Sequence, residues 1–590
     1  MLRFLKILLT LFFTALFVFL HFHFFSSIYT AEELIIPYGL HPFDICSKNP
    51  VLWKYIKILH IISVSFSILI ITNFFFSKFF NKFFKSKKID TKTEEEDSEL
   101  SFKHKNLSNS HNLQLCIGFN QYSKSYIYIP ESGLYQNFLI TGTIGSGKTS
   151  SAMYPFTEQI LKFNSQHPNK KIAMLILDVK GNYYAQVKQF CKTFHLLSDL
   201  IVIDLQSNIH YNPLHKPHLK PQVLANRLKT ILLLFSENNS ESYWLDKAEQ
   251  VLTECIKLCR FYNHGYVTFL ELHKLITIPT YYYEKIPILK NLFIQGILKE
   301  QEIYELNACL DFFQKEFASL DQRTKAILIS EITRITNTFV SDYDVMSCFC
   351  SPKEKLDFTG FEEVIKKGKI VVLNMNISEY ANLSKIIATY LKLDFQTEIL
   401  TNLSNNKVFP TAFICDEYDK YASKTDAEFF SLSREAKCIN IVSTQSYSSL
   451  KNTLKEDSFV KVIVQNLINK IWFRTDDIFT IEEAQKQLGK EEKTRISKSI
   501  SENAKETNFS YISNTLNSEN SNISESISTY TQNDYIYESN YFTQKLETFH
   551  ALCFLSDGHK IYTPCKLQMI PYFKNERSFN NENKKNTYKK

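Results

Sequence analysis

Residues 138–150 carry glycines, a lysine and a threonine at the spacing of a phosphate-binding loop. From Gly142 to Thr149 they satisfy the pattern G-x-x-x-x-G-K-[ST], between an apolar run and a helix-forming segment. Glycines let backbone N–H groups turn toward phosphate oxygens, Lys148 would neutralise the β/γ charge, and the Thr149 hydroxyl would ligate Mg²⁺. A glycine-rich turn that only caps a helix would not need the complete pattern. The loop predicted to bind ATP and Mg²⁺ consists of Gly142, Thr143, Ile144, Gly145, Ser146, Gly147, Lys148, Thr149 and Ser150.

Polar residues also follow two apolar runs farther along the chain. Asp416 and Glu417 come directly after the run 412–415, and Gln445 follows the run that begins at Ile441. Asp416 would hold Mg²⁺ through water, as a Walker B aspartate does, and Glu417 would orient and deprotonate the attacking water. Gln445 would contact the γ-phosphate. Each could be an ordinary strand-end residue, but together with the phosphate loop they predict ATP hydrolysis.

These groups need a scaffold that brings distant strand ends to one edge. Short β-branched runs alternate with helix-like stretches, which predicts a parallel sheet covered by helices on both faces. The predicted strands are 138–140, 172–177, 201–204, 370–373, 413–416, 439–442 and 470–473. Between them, helical apolar spacing predicts an all-helical insertion into the α/β domain. Its predicted helical stretches are 221–236, 241–263, 283–319 and 322–339.

Two apolar stretches near the amino terminus, residues 4–25 and 55–76, each have the ~20 residues that a membrane-spanning helix needs. A signal peptide is the alternative for the first stretch, but its apolar run is long and no convincing cleavage site follows. Basic residues precede the first stretch and follow the second over 78–88, which predicts that both termini are cytoplasmic. We therefore predict a multi-pass protein of the cell membrane with two spans.

The composition allows several domains around a large core. The chain has 590 residues, is 44% hydrophobic and carries a net charge of +7, which permits a nucleic-acid partner without requiring one. Its 12 cysteines lack the paired spacing of a zinc site and are interpreted as buried small hydrophobes. The predicted segments are a membrane anchor (1–88), a linker (89–110), the first part of the nucleotide domain (111–215), the helical insertion (216–358), the second part of the nucleotide domain (359–500), a low-complexity loop (501–543), a C-terminal part of the nucleotide domain (544–573) and a polar basic tail (574–590).

Further short motifs stand in a recognisable order along the chain. They are Ser-Ala-Met-Tyr-Pro155 after the loop, Leu-Asp178-Val-Lys180-Gly181, Tyr-Asn212-Pro213-Leu, Asp416-Glu417, Arg434, Gln445 and the block 466–489. In these motifs the chain resembles the coupling proteins of type IV secretion and conjugation, from the predicted spans to about residue 490 and more weakly over 545–573. Asn182 departs from the family, which usually has an acid there. Asp178 could therefore equally cap a helix, and Lys180 could be a solvated side chain.

The resemblance implies the fold, the activity and the partners. The expected fold is α/β: a RecA-like P-loop NTPase domain with a parallel sheet, an inserted all-helical domain and two N-terminal transmembrane helices. The expected assembly is a homo-hexamer at the cytoplasmic membrane, with single-stranded DNA and its relaxase, or protein cargo, and the secretion channel as partners. The resemblance also implies that Arg434 is a finger that reaches the neighbouring subunit's γ-phosphate, although a surface pair with Glu435 would explain an arginine there too.

Two other functions are compatible with these motifs. A chromosome-segregation DNA translocase would share the ATP site, but such proteins typically have more membrane spans and a C-terminal winged helix. A membrane docking platform with a structural ATP site would not need Lys148, Thr149, Asp416 and Glu417 all to be intact.

Overall fold

The computed structural model describes most of the chain beyond residue 112. The described residues are 113–573, except 164, 168–169, 207–208, 236–241, 504–508, 511–514 and 517–521, together with 14–21, 23, 51, 54–56 and 58–68. The chain divides into two compact units, residues 1–108 and 109–590.

The described residues of the first unit are helical. The predicted membrane spans, 4–25 and 55–76, lie only partly within them. Over the residues that the structure describes, no helix combines the length and the apolar character needed to cross a membrane. The predicted linker 89–110 and tail 574–590 fall outside the described residues.

Seven parallel strands form one side of an eleven-stranded sheet in the second unit, and the last of them, β5, is its edge strand. In sheet order they are β9 (Asn469–Trp472), β3 (Phe138–Thr141), β8 (Cys438–Thr444), β7 (Thr411–Cys415), β4 (Ala173–Leu177), β6 (Ile370–Leu373) and β5 (Leu200–Ile203). Most of their residues are buried, because helices pack on both faces of the sheet. All seven coincide with strands predicted from the sequence, so the prediction of an α/β fold with a parallel sheet is confirmed.

Four antiparallel strands continue the sheet beyond β9. In sheet order they are β14 (His550–Phe554), β15 (Cys565–Gln568), β1 (Gln114–Asn120) and β2 (Ser125–Pro130). The sequence did not predict them. Strands such as β2, Ser-Tyr-Ile-Tyr-Ile-Pro, are mostly half-buried and alternate in polarity, so they lack the continuous apolar run that marks the central strands.

Helices fill the connections between the parallel strands. They are α1 (Tyr154–Lys162), α2 (Tyr183–Thr193), α3 (Pro221–Leu233), α4 (Ser242–Tyr262), α5 (Phe269–Thr277), α6 (Pro279–Ile294), α7 (Glu300–Asp311), α8 (Gln322–Val340), α9 (Tyr343–Phe349), α10 (Phe361–Lys367), α11 (Ile377–Ser404), α12 (Asp426–Leu432), α13 (Tyr447–Leu454), α14 (Asp457–Asn466) and α15 (Ile478–Leu488). On one sheet face, Phe138 and Ile140 share a core with α1 and α2. On the other, Leu139 shares a core with α3–α9, α11 and α12–α14.

Between β5 and β6 the described residues form helices α3–α10 and no strand of the sheet. The stretch predicted as helical over 283–319 is interrupted after Ile294, because Gly296 has a φ of 60° and α7 starts anew where the Glu302 carboxylate accepts the Lys299 N–H at 2.8 Å. A buried ion pair, Lys216 Nζ to Asp394 Oδ2 at 2.6 Å, joins the beginning of this helical region to α11.

The prediction of a low-complexity loop over 501–543 is wrong for part of that range. Strand β13 (Asn522–Tyr535) pairs antiparallel with β10 (Lys490–Asn503) in a two-stranded ribbon, and β11 (Phe509–Ser510) pairs with β12 (Thr515–Leu516). Threonine and tyrosine favour an extended backbone, and a two-stranded ribbon has no buried face that would need aliphatic residues. Low aliphatic content was therefore a poor indicator of loop structure.

Candidate nucleotide-binding site

The phosphate-binding pattern forms a tight loop between β3 and α1. Gly145 and Gly147 have φ values of 76° and 101°, a left-handed backbone that glycine adopts without steric cost. A Cβ at Gly147 would lie 2.6 Å from Cδ1 of Phe549, so a larger residue would collide there. The Ser151 N–H donates to the Gly147 carbonyl at 2.9 Å, which begins the helical turns that lead into α1.

The first half of the loop is anchored to the segment after β9. Thr143 donates its backbone N–H and its hydroxyl to the Arg474 carbonyl, at 2.8 and 3.1 Å. The Ser146 hydroxyl donates to the Thr143 carbonyl at 2.7 Å. Ile144, at the tip of the loop, is 78% exposed. The first half of the loop is thus fixed by hydrogen bonds to the segment after β9, and its tip is exposed to solvent.

The carboxyl-terminal part of the second unit covers the second half of the loop. The Phe549 N–H donates to the Ser146 carbonyl at 3.2 Å, and the Tyr572 N–H donates to the Ser150 carbonyl at 2.9 Å. The Tyr572 ring packs edge-on against Tyr154, with 5.2 Å between ring centroids. Residues about 400 positions away in sequence therefore help to position the phosphate loop.

Lys148 is buried within the phosphate loop to which it belongs. Its Nζ donates to the carbonyl of Gly142 and, at 3.3 Å, to that of Thr143. Burial lowers the pKa of Lys148, and the nearby carboxylates of Asp416 and Glu417 oppose that shift. The Lys148 ammonium therefore lies at the loop carbonyls, close to the carboxylates of Asp416 and Glu417.

The threonine of the loop and the aspartate after β7 are in direct contact. Thr149 Oγ1 donates to Asp416 Oδ2 at 2.7 Å. The other carboxylate oxygen of Asp416 accepts hydrogen bonds from the Ser443 hydroxyl, on β8, and from the Glu417 N–H at 3.1 Å. A hydroxyl and a carboxylate side by side are oxygen ligands of the kind that Mg²⁺ prefers, so these two residues fit that ion.

Glu417 begins a turn at the same edge of the sheet. Its backbone φ of 50° is left-handed, which is uncommon for a residue other than glycine or asparagine. Its Oε1 lies 2.7 Å from Nζ of Lys180, in an ion pair in which the lysine side chain is 56% exposed. Burial would lower the pKa of Lys180, but its hydrogen bond and charge attraction to Glu417 outweigh this and raise it.

Asp178, at the end of β4, has the capping role that the sequence left open. Its carboxylate accepts the N–H groups of Lys180, Asn182 and Tyr183, at 3.1, 3.0 and 3.1 Å, and so holds the amino end of α2. Burial raises the pKa of Asp178, although these hydrogen bonds oppose the shift. Lys180 is not merely solvated, because this turn directs it to Glu417.

Gln445 and Arg434 lie at opposite ends of β8. Gln445 follows the carboxyl end, the edge that carries the phosphate loop, and β8 lies between β3 and β7. Arg434 precedes the amino end, where its guanidinium donates to the Gly558 carbonyl at 3.2 Å. A seven-residue strand spans roughly 20 Å, so Arg434 is far from the loop of its own chain. In the described part of the chain no acidic side chain forms an ion pair with Arg434.

The structure adds residues that the sequence reasoning missed. Ser443 bonds to Asp416, and Phe549 and Tyr572 close over the loop. A polar residue within the otherwise buried strand Cys-Ile-Asn-Ile-Val-Ser-Thr was a usable signal for Ser443. No local pattern marks the two aromatic residues.

Comparison with known proteins identifies a family segment and the fold. Residues 410–533, which include Asp416, Glu417, Arg434 and Gln445, match the family model of the TraM recognition site of TraD and TraG. The unbound monoclinic form of the bacterial conjugative coupling protein TrwBdeltaN70 superposes with a TM-score of 0.50 at 12% identity, over 75% of this chain and 87% of that one. The chain has the fold of a conjugative coupling protein. The resemblance predicted from the sequence is thereby confirmed.

A second coupling-protein structure is equally similar. The plasmid coupling protein TrwB in complex with the non-hydrolysable GTP analogue GDPNP has a TM-score of 0.50 at 13% identity, with the same coverage of 75% and 87%. No curated protein sequence matches the chain. The similarity to the coupling proteins therefore rests on fold and on the segment 410–533.

Proposed function

We propose that this chain is a membrane-anchored ATPase that couples ATP hydrolysis to the transfer of DNA–protein or protein cargo into a type IV secretion or conjugation channel. The contact between Thr149 and Asp416, at 2.7 Å, is the observation that carries the proposal, because it joins the two halves of a nucleotide site. It occurs within the coupling-protein fold, and the family segment includes the second half of that site.

Each polar group of the site has a distinct proposed role. The loop from Gly142 to Ser150 holds the phosphates of ATP with its backbone N–H groups, and Lys148 neutralises their charge. Thr149 would ligate Mg²⁺ and Asp416 would hold it through water, and the ion would supply positive charge to offset that of the phosphates. The hydrogen bonds that Asp416 accepts from the hydroxyls of Thr149 and Ser443 fix the orientation of its carboxylate.

Glu417 is the proposed base that accepts a proton from the attacking water. Its ion pair with Lys180 supports an additional positioning role for that lysine. Within the described part of the chain no hydrogen bond reaches the other oxygen of this carboxylate, so that oxygen can face the water. General-base catalysis of this kind contributes about 10²–10⁴-fold to a rate. Gln445, at the same edge, is the proposed contact to the γ-phosphate.

Arg434 acts across a subunit boundary in this proposal. Because β8 separates it from its own phosphate loop, it can reach only the loop of a neighbouring chain. A ring in which each chain supplies Arg434 to the next fits a homo-hexamer. A finger of this kind is worth roughly 10³-fold or more in rate.

The partners follow from the coupling-protein resemblance. The matched family model is described as a recognition site for TraM, which supports a protein component in the cargo. Single-stranded DNA with its relaxase is the proposed DNA cargo, held by backbone contacts whose strength falls with salt. Two spans within residues 1–88 are the proposed anchor, with both termini in the cytoplasm.

The proposal is tested by two variants of the full chain in detergent or lipid discs. Lys148→Ala should lose both ATP binding and turnover. Glu417→Gln keeps the side-chain shape but loses the base, so the protein should bind ATP and retain it unhydrolysed. Nucleotide binding and phosphate release are measured for each. Hydrolysis by Glu417→Gln at the wild-type rate would show that Glu417 is not the base, and absence of any turnover in the wild-type chain would favour a docking platform.

A further inference from the structure

A cavity lies on the sheet face opposite to α1. Its volume is about 370 Å³, and helices α13, α14 and α15 form its walls. Val460, Val464, Phe479 and Tyr447 supply apolar surface. Its floor is strand β9, where Lys470 stands in register with Leu139 of β3. Leu139 faces the core shared with α13 and α14, whereas Phe138 and Ile140 face α1, so this cavity and the phosphate loop use different faces of the sheet.

Lys470 is the unusual group in this cavity. Its side chain is 2% exposed, in the middle of a buried strand. Among the described residues no acidic side chain pairs with its Nζ and no acceptor bonds to it; an aromatic ring, Phe554, lies 5.9 Å away. Burial alone lowers the pKa of Lys470 to about 8, and no neighbouring charge contributes to the shift. The amine is therefore still mostly protonated at neutral pH, and a buried ammonium without an anion is unfavourable.

The rim of the cavity adds positive charge. Lys461 on α14 and Lys486 on α15 both line it, and only Glu483 offsets them, through an ion pair to Lys486 at 2.8 Å. The amides of Gln465 and Gln487 also line the cavity and can donate hydrogen bonds. With Lys470 at its floor, the cavity carries an excess of positive charge beside an apolar wall.

We propose that this cavity binds a small organic anion, whose carboxylate or phosphate group pairs with Lys470 while its apolar body packs against Val460, Val464 and Phe479. An apolar pocket of this size with a few convergent polar groups is typical of small-molecule sites. The anion supplies the counter-charge that Lys470 lacks. Neither the hydrolytic site nor the proposed transport of cargo requires this cavity, so its ligand would act as a separate effector or structural cofactor.

The test measures the accessibility of one amine. The full chain is treated briefly with an amine-acetylating reagent, and acetylation of Lys470 is quantified by mass spectrometry with phenyl phosphate, benzoate, inorganic phosphate or phenol present. Phenyl phosphate or benzoate should slow acetylation of Lys470 by about tenfold at saturation. Lys392, which is buried and paired with Asp426 at 2.6 Å, is the internal control, and its rate should not change.

Variants separate this site from the nucleotide site. Protection should persist in Lys148→Ala, because that variant damages only the phosphate loop, and should weaken in Lys461→Gln. The probe that protects should also raise the unfolding temperature of the wild-type chain but not that of Lys470→Met. Protection by phenyl phosphate alone identifies a phosphate ester as the ligand class, and protection by benzoate alone identifies a carboxylate. Equal protection by phenol, or none by any of the anions, overturns the proposal.

Discussion

Ser443→Ala should weaken the metal-dependent step without preventing folding. Ser443 is fully buried on β8, and its hydroxyl donates to the carboxylate of Asp416. The Ser443 hydroxyl oxygen also accepts a hydrogen bond from the Glu417 N–H at 3.3 Å, so this one hydroxyl orients both acidic residues. A hydrogen bond to a charged group contributes about 1.5–3 kcal/mol. If that energy holds Asp416 in its ion-binding orientation, losing it should reduce the affinity for Mg²⁺ roughly 10–100-fold.

The assay is ATP turnover as a function of free Mg²⁺, at saturating ATP, together with the unfolding temperature of each variant. Ser443→Ala should need roughly 10–100-fold more Mg²⁺ for half-maximal turnover and should approach the wild-type rate at high Mg²⁺. Ser384→Ala is the matched control. That serine is also fully buried, but it donates to a neutral carbonyl, that of Met375, at 2.7 Å. It should lose about 1 kcal/mol of stability and keep its Mg²⁺ dependence.

Two results would refute this reasoning. One is an unchanged Mg²⁺ dependence in Ser443→Ala with a loss of stability equal to that of Ser384→Ala, which would make Ser443 only a packing residue. The other is a loss of turnover that no concentration of Mg²⁺ restores, which would place the effect of Ser443 on Glu417 rather than on the ion held by Asp416.

Three further predictions concern other parts of the chain. Arg434→Ala should bind ATP but not hydrolyse it, and mixing it with Lys148→Ala subunits should restore some turnover; mixed oligomers without recovery would argue against action between subunits. Gly147→Ala should impair ATP binding, since its φ is 101° and its Cβ would lie 2.6 Å from Phe549, and normal nucleotide titration would contradict this. Burial lowers the pKa of Lys470 from 10.5 to about 8, so the unfolded chain binds the proton more tightly and stability should rise with pH between these values. Lys470→Met should remove that rise and stabilise the fold at neutral pH by about 3 kcal/mol, measured by thermal unfolding.

Local patterns predicted the parts of the fold in which each residue's environment repeats along the chain. The parallel strands are apolar over several consecutive residues because both faces are covered, so all seven could be found from the sequence. The antiparallel strands β2 and β15 could not, because half-buried strands have mixed composition, and β1 and β14 were also missed although most of their residues are buried. The ribbon of β10 and β13 was misjudged for the same reason: serine and threonine occur both in loops and in exposed strands.

The sequence alone determined which residues could bind phosphate and Mg²⁺ in the loop. The glycines, Lys148 and Thr149 are close together in the chain, so their spacing by itself sets their relative positions. Only the tertiary structure decided which distant groups meet. It places Lys180 against Glu417 and Ser443 against Asp416, and it puts Arg434 at the edge of the sheet away from its own loop. The physical reason is that strand order, not strand sequence, sets which ends are neighbours. A strand such as β8 carries no local sign that it lies between β3 and β7, and the buried, unpaired Lys470 becomes visible only when the helices close over β9.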